Sequence, residues 1–177
     1  MLKIDSQRIL IDGAKRFEPY LGKSSLWRQG KIFFPELPYA GSLSFVRKSS
    51  LISANYFLSL QASLPLPDQP PGSTKAGRCY FNRFGSWRIK SSDKILTSFY
   101  KKVKQHTDVA TLGKKTDFDA VLISSDNSTV TLFLNLYGGG YLSLLFPPMH
   151  FKVAISDEQI SYSAAFFKTL MNILTDG

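Results

Sequence analysis

One cysteine, two histidines and a long stretch almost without acids set the first limits on this chain. Cys79 has no partner for an internal disulfide. It fits a reducing compartment and excludes a cysteine-based zinc site. His106 and His150 stand far apart, with no cysteine or carboxylate at ligand spacing. Neither a metal site nor histidine-based catalysis is expected. Asp117 and Asp119 form an isolated acidic pair without the third acid that Mg²⁺ nuclease chemistry would need. No Gly-x-Ser-x-Gly elbow occurs. Gly22-Lys23-Ser24 matches the end of a phosphate-binding loop, but the glycine required five residues earlier is Phe17. The expectation is a non-enzyme with no cofactor and no metal. No apolar run approaches the roughly 20 residues of a membrane helix. The start, MLKIDSQRILIDG, lacks the apolar core of a secretory signal, and Asp5 and Asp12 argue against a transit peptide. The expected location is cytoplasmic, with organellar or nucleoid-associated sites left open, and no membrane partner is expected.

What the chain does have is positive charge. Its 177 residues carry a net charge of +9, and 44% are hydrophobic, enough for one well-filled domain. Such an excess favours anionic partners, nucleic acid first. Between Leu37 and Ser92 stand Arg47, Lys48, Lys75, Arg78, Arg83, Arg88 and Lys90 against the single acid Asp68. Tyr56, Phe57, Tyr80, Phe81, Phe84 and Trp87 are interleaved with them. Cations attract phosphates and exposed rings stack on unpaired bases, so the mixture suits a single-stranded nucleic-acid surface. The candidate phosphate contacts are Lys23, Arg28, Lys31, Arg47, Lys48, Arg78, Arg83 and Arg88. The candidate stacking rings are Trp27, Phe33, Tyr80, Phe81, Phe84 and Trp87. Any one of these rings could instead fill the core.

The C-terminal half is the easier to parse. Ser92-Asp93 opens a helix with Ile95, Leu96, Phe99 and Val103 at helical spacing, running to about His106. Residues 107–116 read as a loop. Residues 118–123 form a strand and 124–128 a turn. Val130, Leu132, Leu134 and Leu136 alternate with Thr129, Thr131, Phe133 and Asn135, the period of a half-buried strand. Gly138-Gly139-Gly140 reads as a hairpin turn leading to strands over 141–146 and 149–155. Ser156 and Gln159 make a capping box. The following helix carries Ile160, Ala164, Phe167, Met171 and Leu174 on one face. Upstream, strands are expected over 14–21, 25–34, 43–64 (kinked near Ser49-Ser50) and 77–90. A long exposed loop is expected over 65–76. The resulting fold is α+β: two antiparallel four-stranded sheets, each followed by a helix (ββββα repeated). It makes one domain, 1–177, of two pseudo-repeats at about 14–106 and 117–174.

Four local stretches bear on kinship. Tyr20-Leu21-Gly22-Lys23-Ser24-Ser25-Leu26 and Pro35-Glu36-Leu37-Pro38 follow one another. Arg47-Lys48-Ser49-Ser50-Leu51 is a basic turn into a long strand. Arg78-Cys79-Tyr80 leads to Trp87-Arg88-Ile89 and the helix capped by Ser92. Together with the repeated ββββα pattern, over roughly 15–174, they resemble the Whirly family of single-stranded DNA-binding proteins. Mitochondrial guide-RNA-binding proteins share that topology, and PUR-repeat proteins are related in outline. The first stretch is similar to that family's Lys-Gly-Lys-Ala-Ala-Leu motif, with Leu21 for the first lysine and Ser24 and Ser25 for the alanines. The resemblance implies a homotetramer, with helices at its centre and sheets holding single strands between subunits. The expected function is non-catalytic binding of single-stranded nucleic acid, DNA favoured over RNA. The alternative is a protein-interaction module, because Phe166, Phe167, Met171 and Leu174 exceed one apolar stripe and could form an oligomer interface.

Overall fold

A computed structural model describes residues 5–25, 29–37, 39–65, 77–82, 87–90, 94–125, 129–144 and 147–176. The chain runs α1 (Ser6–Leu21), β1 (Lys31–Phe34), β2 (Ala40–Ser49), β3 (Ser53–Pro65), β4 (Gly77–Asn82), β5 (Trp87–Lys90), α2 (Lys94–Gln105), α3 (Thr107–Lys115), β6 (Phe118–Ser125), β7 (Thr129–Leu144), β8 (Met149–Lys152) and α4 (Asp157–Thr175). The fold is α+β with antiparallel pairing throughout. The cap at Ser92-Asp93, the loop over 66–76 and the turn residues 126–128 lie outside the described residues.

The eight strands form one sheet in the order β1-β2-β3-β7-β6-β4-β5, with β8 paired to β7. The expectation of two separate four-stranded sheets is therefore corrected. Its cause is the length of β3 and β7, which pair from Ser53↔Leu144 to Pro65↔Thr129 and stitch the two halves together. β4 crosses over to pair with β6 as well.

β7 runs straight through the glycine triplet that the sequence suggested would end it. Tyr56 faces Tyr141 and Leu58 faces Leu136, so Phe57 stands opposite the four residues Tyr137 to Gly140. This is a local irregularity of the bulge kind, absorbed without ending the strand. Glycine is required here. Gly139 has φ +80°, and a Cβ on Gly140 would collide with the Tyr56 carbonyl oxygen.

Residues 14–21, expected as a strand, belong to α1. Phe17, Pro19 and Leu21 mimic period two, but the buried set is Leu10, Ala14, Phe17 and Leu21, at helical spacing. Asp5 caps the helix by accepting the Arg8 N–H at 3.0 Å. Residues 107–115, expected as loop, form α3. Only Val109 is buried along it, so the sequence carries no apolar stripe to betray a helix. The capping box forms, with the Ser156 hydroxyl accepting the Gln159 N–H at 3.1 Å.

All four helices pack on one face of the sheet. α4 lies among the other three and against β7. A helix enclosed on so many sides needs more than one apolar stripe. That explains Phe166, Phe167, Met171 and Leu174, all buried in the chain's own core. Phe166 meets the rings of Phe118 (5.6 Å) and Phe81 (6.3 Å). These four side chains cannot serve as an oligomer interface without unpacking the monomer, which corrects that expectation.

Candidate nucleic-acid interface

Strand pairing fixes which side chains share each face, because alternate residues point to opposite sides. Beneath the helices run rows such as Trp87–Phe81–Val121–Leu134–Leu60–Leu43–Ile32. On the opposite, helix-free face, three rows cross the sheet. One is Lys90–Arg78–Ser124–Thr131–Ser63. The next is Arg88–Tyr80–Leu122–Phe133–Gln61–Ser42–Phe33. The third is Ala120–Asn135–Ser59–Ser44–Lys31. Hydroxyls, amides, cations and a few rings thus replace the aliphatic residues of the covered side.

The cations gather at one end. Arg78 and Lys90 are direct cross-strand neighbours, with Arg88 two residues away opposite Tyr80. Arg78, Arg88 and Lys90 are exposed, and none forms an ion pair among the described residues. Tyr80 is 40% exposed between them. Lys31 marks the far edge, donating to Gln61 Oε1 at 3.1 Å. Gln61 Nε2 in turn donates to Ser44 Oγ at 2.6 Å.

The middle of the face is closed to water yet polar. Ser42, Ser44, Ser59, Gln61 and Asn135 are buried. Ser59 Oγ and Asn135 Oδ1 have no hydrogen-bond partner among the described residues. Burying a polar atom without a partner costs about 1–3 kcal/mol. Lys48, from β2, lies over the Phe57 ring at 5.2 Å and pairs with Asp119 of β6. β3 and β7 lie between these two strands, so the pair reaches across the middle of the face.

The structure sorts the predicted residues by face. Lys31, Phe33, Lys48, Arg78, Tyr80 and Arg88 converge on the helix-free side, although Lys48 is spent on Asp119. Phe81 and Trp87 do not. They stack on each other beneath the helices, with centroids 4.5 Å apart, and Trp87 meets Phe99 edge-on. Strand alternation puts them opposite Arg78 and Arg88, so they are corrected as base-stacking rings of this face. Arg47 also belongs to the covered side, 5.9 Å over Tyr56, whose ring stacks on Tyr141. Burial beside Tyr56 pushes the Tyr141 phenol up from its ordinary pKa. Lys23 lies in the loop after α1, outside the sheet, its N–H held by Glu36 at 3.0 Å. Nearby, Glu18 accepts from the Ser24 hydroxyl and N–H, which holds its carboxyl below the usual value. Trp27, Arg28, Arg83 and Phe84 lie outside the described residues. Lys90, counted in the basic stretch but not among the candidate phosphate contacts, joins the face, as does Phe133, which was not a candidate stacking ring. Phe133 was detectable as the one ring among Thr129, Thr131 and Asn135 in an alternating strand.

Other chemistry is thinly represented. Burial pushes the Cys79 thiol up to about 12, so it is no nucleophile. Ser143 Oγ lies 2.8 Å from His150 Nδ1, but His150 Nε2 has no orienting partner among the described residues. Among those residues no three His, Cys, Asp or Glu side chains group to hold a metal, and no helix is long and apolar enough to cross a membrane. Comparison with protein-family models, curated proteins and solved structures found no match.

Proposed function

We propose that the chain binds single-stranded nucleic acid, DNA ahead of RNA, on its helix-free sheet face, without catalysis. The observation that carries this reading is the facing of Arg78 and Lys90, with Arg88 beside them and Tyr80 between. Like charges set directly opposite one another destabilise a hairpin. A phosphate backbone crossing them turns that repulsion into attraction. Tyr80 and the half-buried Phe133 and Phe33 lie along one row and supply π-faces for unpaired bases, each stack contributing roughly 1–3 kcal/mol. Ser59 and Asn135, in the adjacent row, leave acceptors unmet. Stacking is tolerant of sequence, so weak sequence preference is expected.

Fluorescence anisotropy with labelled single- and double-stranded oligonucleotides across a salt series tests the reading. Single strands should bind more tightly than duplex. The log–log salt slope should be about −0.7 for each phosphate contact, hence roughly −2 for three cations. Arg78→Gln should make the slope shallower by about 0.7. Absence of binding at low salt, or tight duplex binding with no preference for single strands, would overturn the proposal.

A further inference from the structure

We infer that the cleft between α2, α3 and the β4–β5 hairpin binds a small amphipathic anion, an apolar body bearing one anionic head such as a carboxylate. The cleft has a volume of about 720 Å³, within the roughly 300–1,000 Å³ of small-molecule sites. It opens on the helix side of the sheet, away from Arg78, Tyr80 and Arg88, and is independent of the nucleic-acid face.

Its floor is apolar and largely aromatic. Phe81 stacks on Trp87 at 4.5 Å and on Phe118 at 5.3 Å, and Val103 and Val109 complete the surface. Its rim is cationic. Lys104, Lys114 and Lys115 line it against one acid, Asp117. None of the three lysines has a carboxylate partner among the described residues. The ammonium groups of Lys104 and Lys115 rest instead over the rings of Tyr100 and Tyr162, each at 5.2 Å.

A second, independent observation points to a ligand. Thr116 also lines the cleft, is only 6% exposed, and its Oγ1 has no hydrogen-bond partner among the described residues. A buried hydroxyl is ordinarily satisfied, and one without a partner in the wall of a cavity is a place where an acceptor from outside would be stabilised. An apolar body on the aromatic floor places an anionic head at the lysine rim, and the Thr116 hydroxyl, whose Oγ1 is sealed from solvent in the empty cleft, would turn to meet it. A bare inorganic anion would leave the floor wet, and a neutral apolar molecule would leave the lysines unpaired.

Dodecanoate is the probe and dodecanol its neutral control. Trp27→Phe leaves Trp87, in the cleft, as the only tryptophan. Titration of that variant with dodecanoate should change Trp87 emission saturably at one equivalent. Dodecanol should bind at least tenfold more weakly. Replacing Lys104, Lys114 and Lys115 together by Gln should weaken dodecanoate at least tenfold and leave dodecanol unchanged. Thr116→Val should weaken dodecanoate while raising the melting temperature, which a purely structural threonine would not do. If Thr116→Val does not fold, the lysine variant decides, since all three of its positions are exposed. No saturable change, equal binding of the two probes, or unchanged dodecanoate affinity in the lysine variant would overturn the inference.

Discussion

The two faces of this sheet are built from the same strands and obey opposite rules. In β7, Val130, Leu132, Leu134 and Leu136 lie under the helices, while Thr129, Thr131, Phe133 and Asn135 alternate with them on the open side. β3 divides in the same way, Leu58, Leu60, Ala62 and Leu64 against Ser59, Gln61 and Ser63. In β4 the division falls between Cys79 and Phe81 on one side and Arg78 and Tyr80 on the other. Period-two geometry lets one strand hold a core and present a second surface at once. A face serving only solubility would mix charges of both signs and leave no polar atom buried and unpaired. The open face does the reverse, with its like charges adjacent and its central acceptors unmet. The covered face is accounted for by packing, and the residue types of the open face are what the proposed binding of a polyanion would use.

The largest effect should come from a matched pair of ring deletions. Phe17 is fully buried between α1 and the sheet. Phe17→Ala should cost about 3–5 kcal/mol of stability in urea denaturation, through lost transfer energy and a residual cavity. Phe133→Ala, on the open face, should cost well under half of that. Its effect should appear as weaker single-strand binding, by roughly 1–3 kcal/mol. If the two substitutions destabilise alike while binding is unmoved, the faces do not differ in kind.

A smaller effect, of opposite sign, is expected at the buried acceptors. Ser59→Ala removes an oxygen that has no partner and should stabilise the fold by about 1 kcal/mol. The charge row should behave likewise. Lys90→Glu converts a repulsive cross-strand pair with Arg78 into an attractive one, worth about 0.2–1 kcal/mol. It should also cut affinity for oligonucleotides and flatten the salt slope. Stability rising while binding falls is the signature of a functional site. Chemical denaturation and anisotropy on the same variant would reveal it.

The ease of reading these faces from sequence followed the physics of each element. The alternation in 129–136 and the capping box at Ser156 were plain because single local rules govern them. The clustering of Arg78, Tyr80 and Arg88 was visible for the same reason. Helix α1 escapes a reading by alternation because Phe17-Glu18-Pro19-Tyr20-Leu21 alternates like a strand, and its helical partner Leu10 lies upstream of that run, in residues to which no element was assigned. Helix α3 was missed because it buries only Val109. The union of both halves into one sheet depends on which long strand finds which, a non-local choice that no window of residues encodes. The error over Phe81 and Trp87 was of another kind. Composition placed them among the cations, but only register decides which side a ring occupies, and a shift of one residue reverses it.

That last point yields the gentlest test, at two adjacent residues. Cys79 is 0% exposed beneath the helices, and Tyr80 is 40% exposed on the open face. Desolvation raises the Cys79 pKa from 9.0 to about 12. Below pH 9 folded and unfolded chains both carry the neutral thiol, so its ionisation costs the fold nothing. Between about pH 9 and 12 the unfolded chain ionises while the folded one resists, so this group's contribution falls as pH rises. Reaction of native protein with iodoacetamide at pH 8 should therefore be slow and should accelerate with added urea, as opening exposes the sulfur. In a Cys79→Ala background, Tyr80→Cys should react at the rate of an exposed thiol and ignore urea below the unfolding transition. A bound single-stranded oligonucleotide should protect the thiol at position 80 and leave Cys79 unaffected. Equal rates at the two positions would mean that β4 does not divide its side chains between a core and a ligand surface.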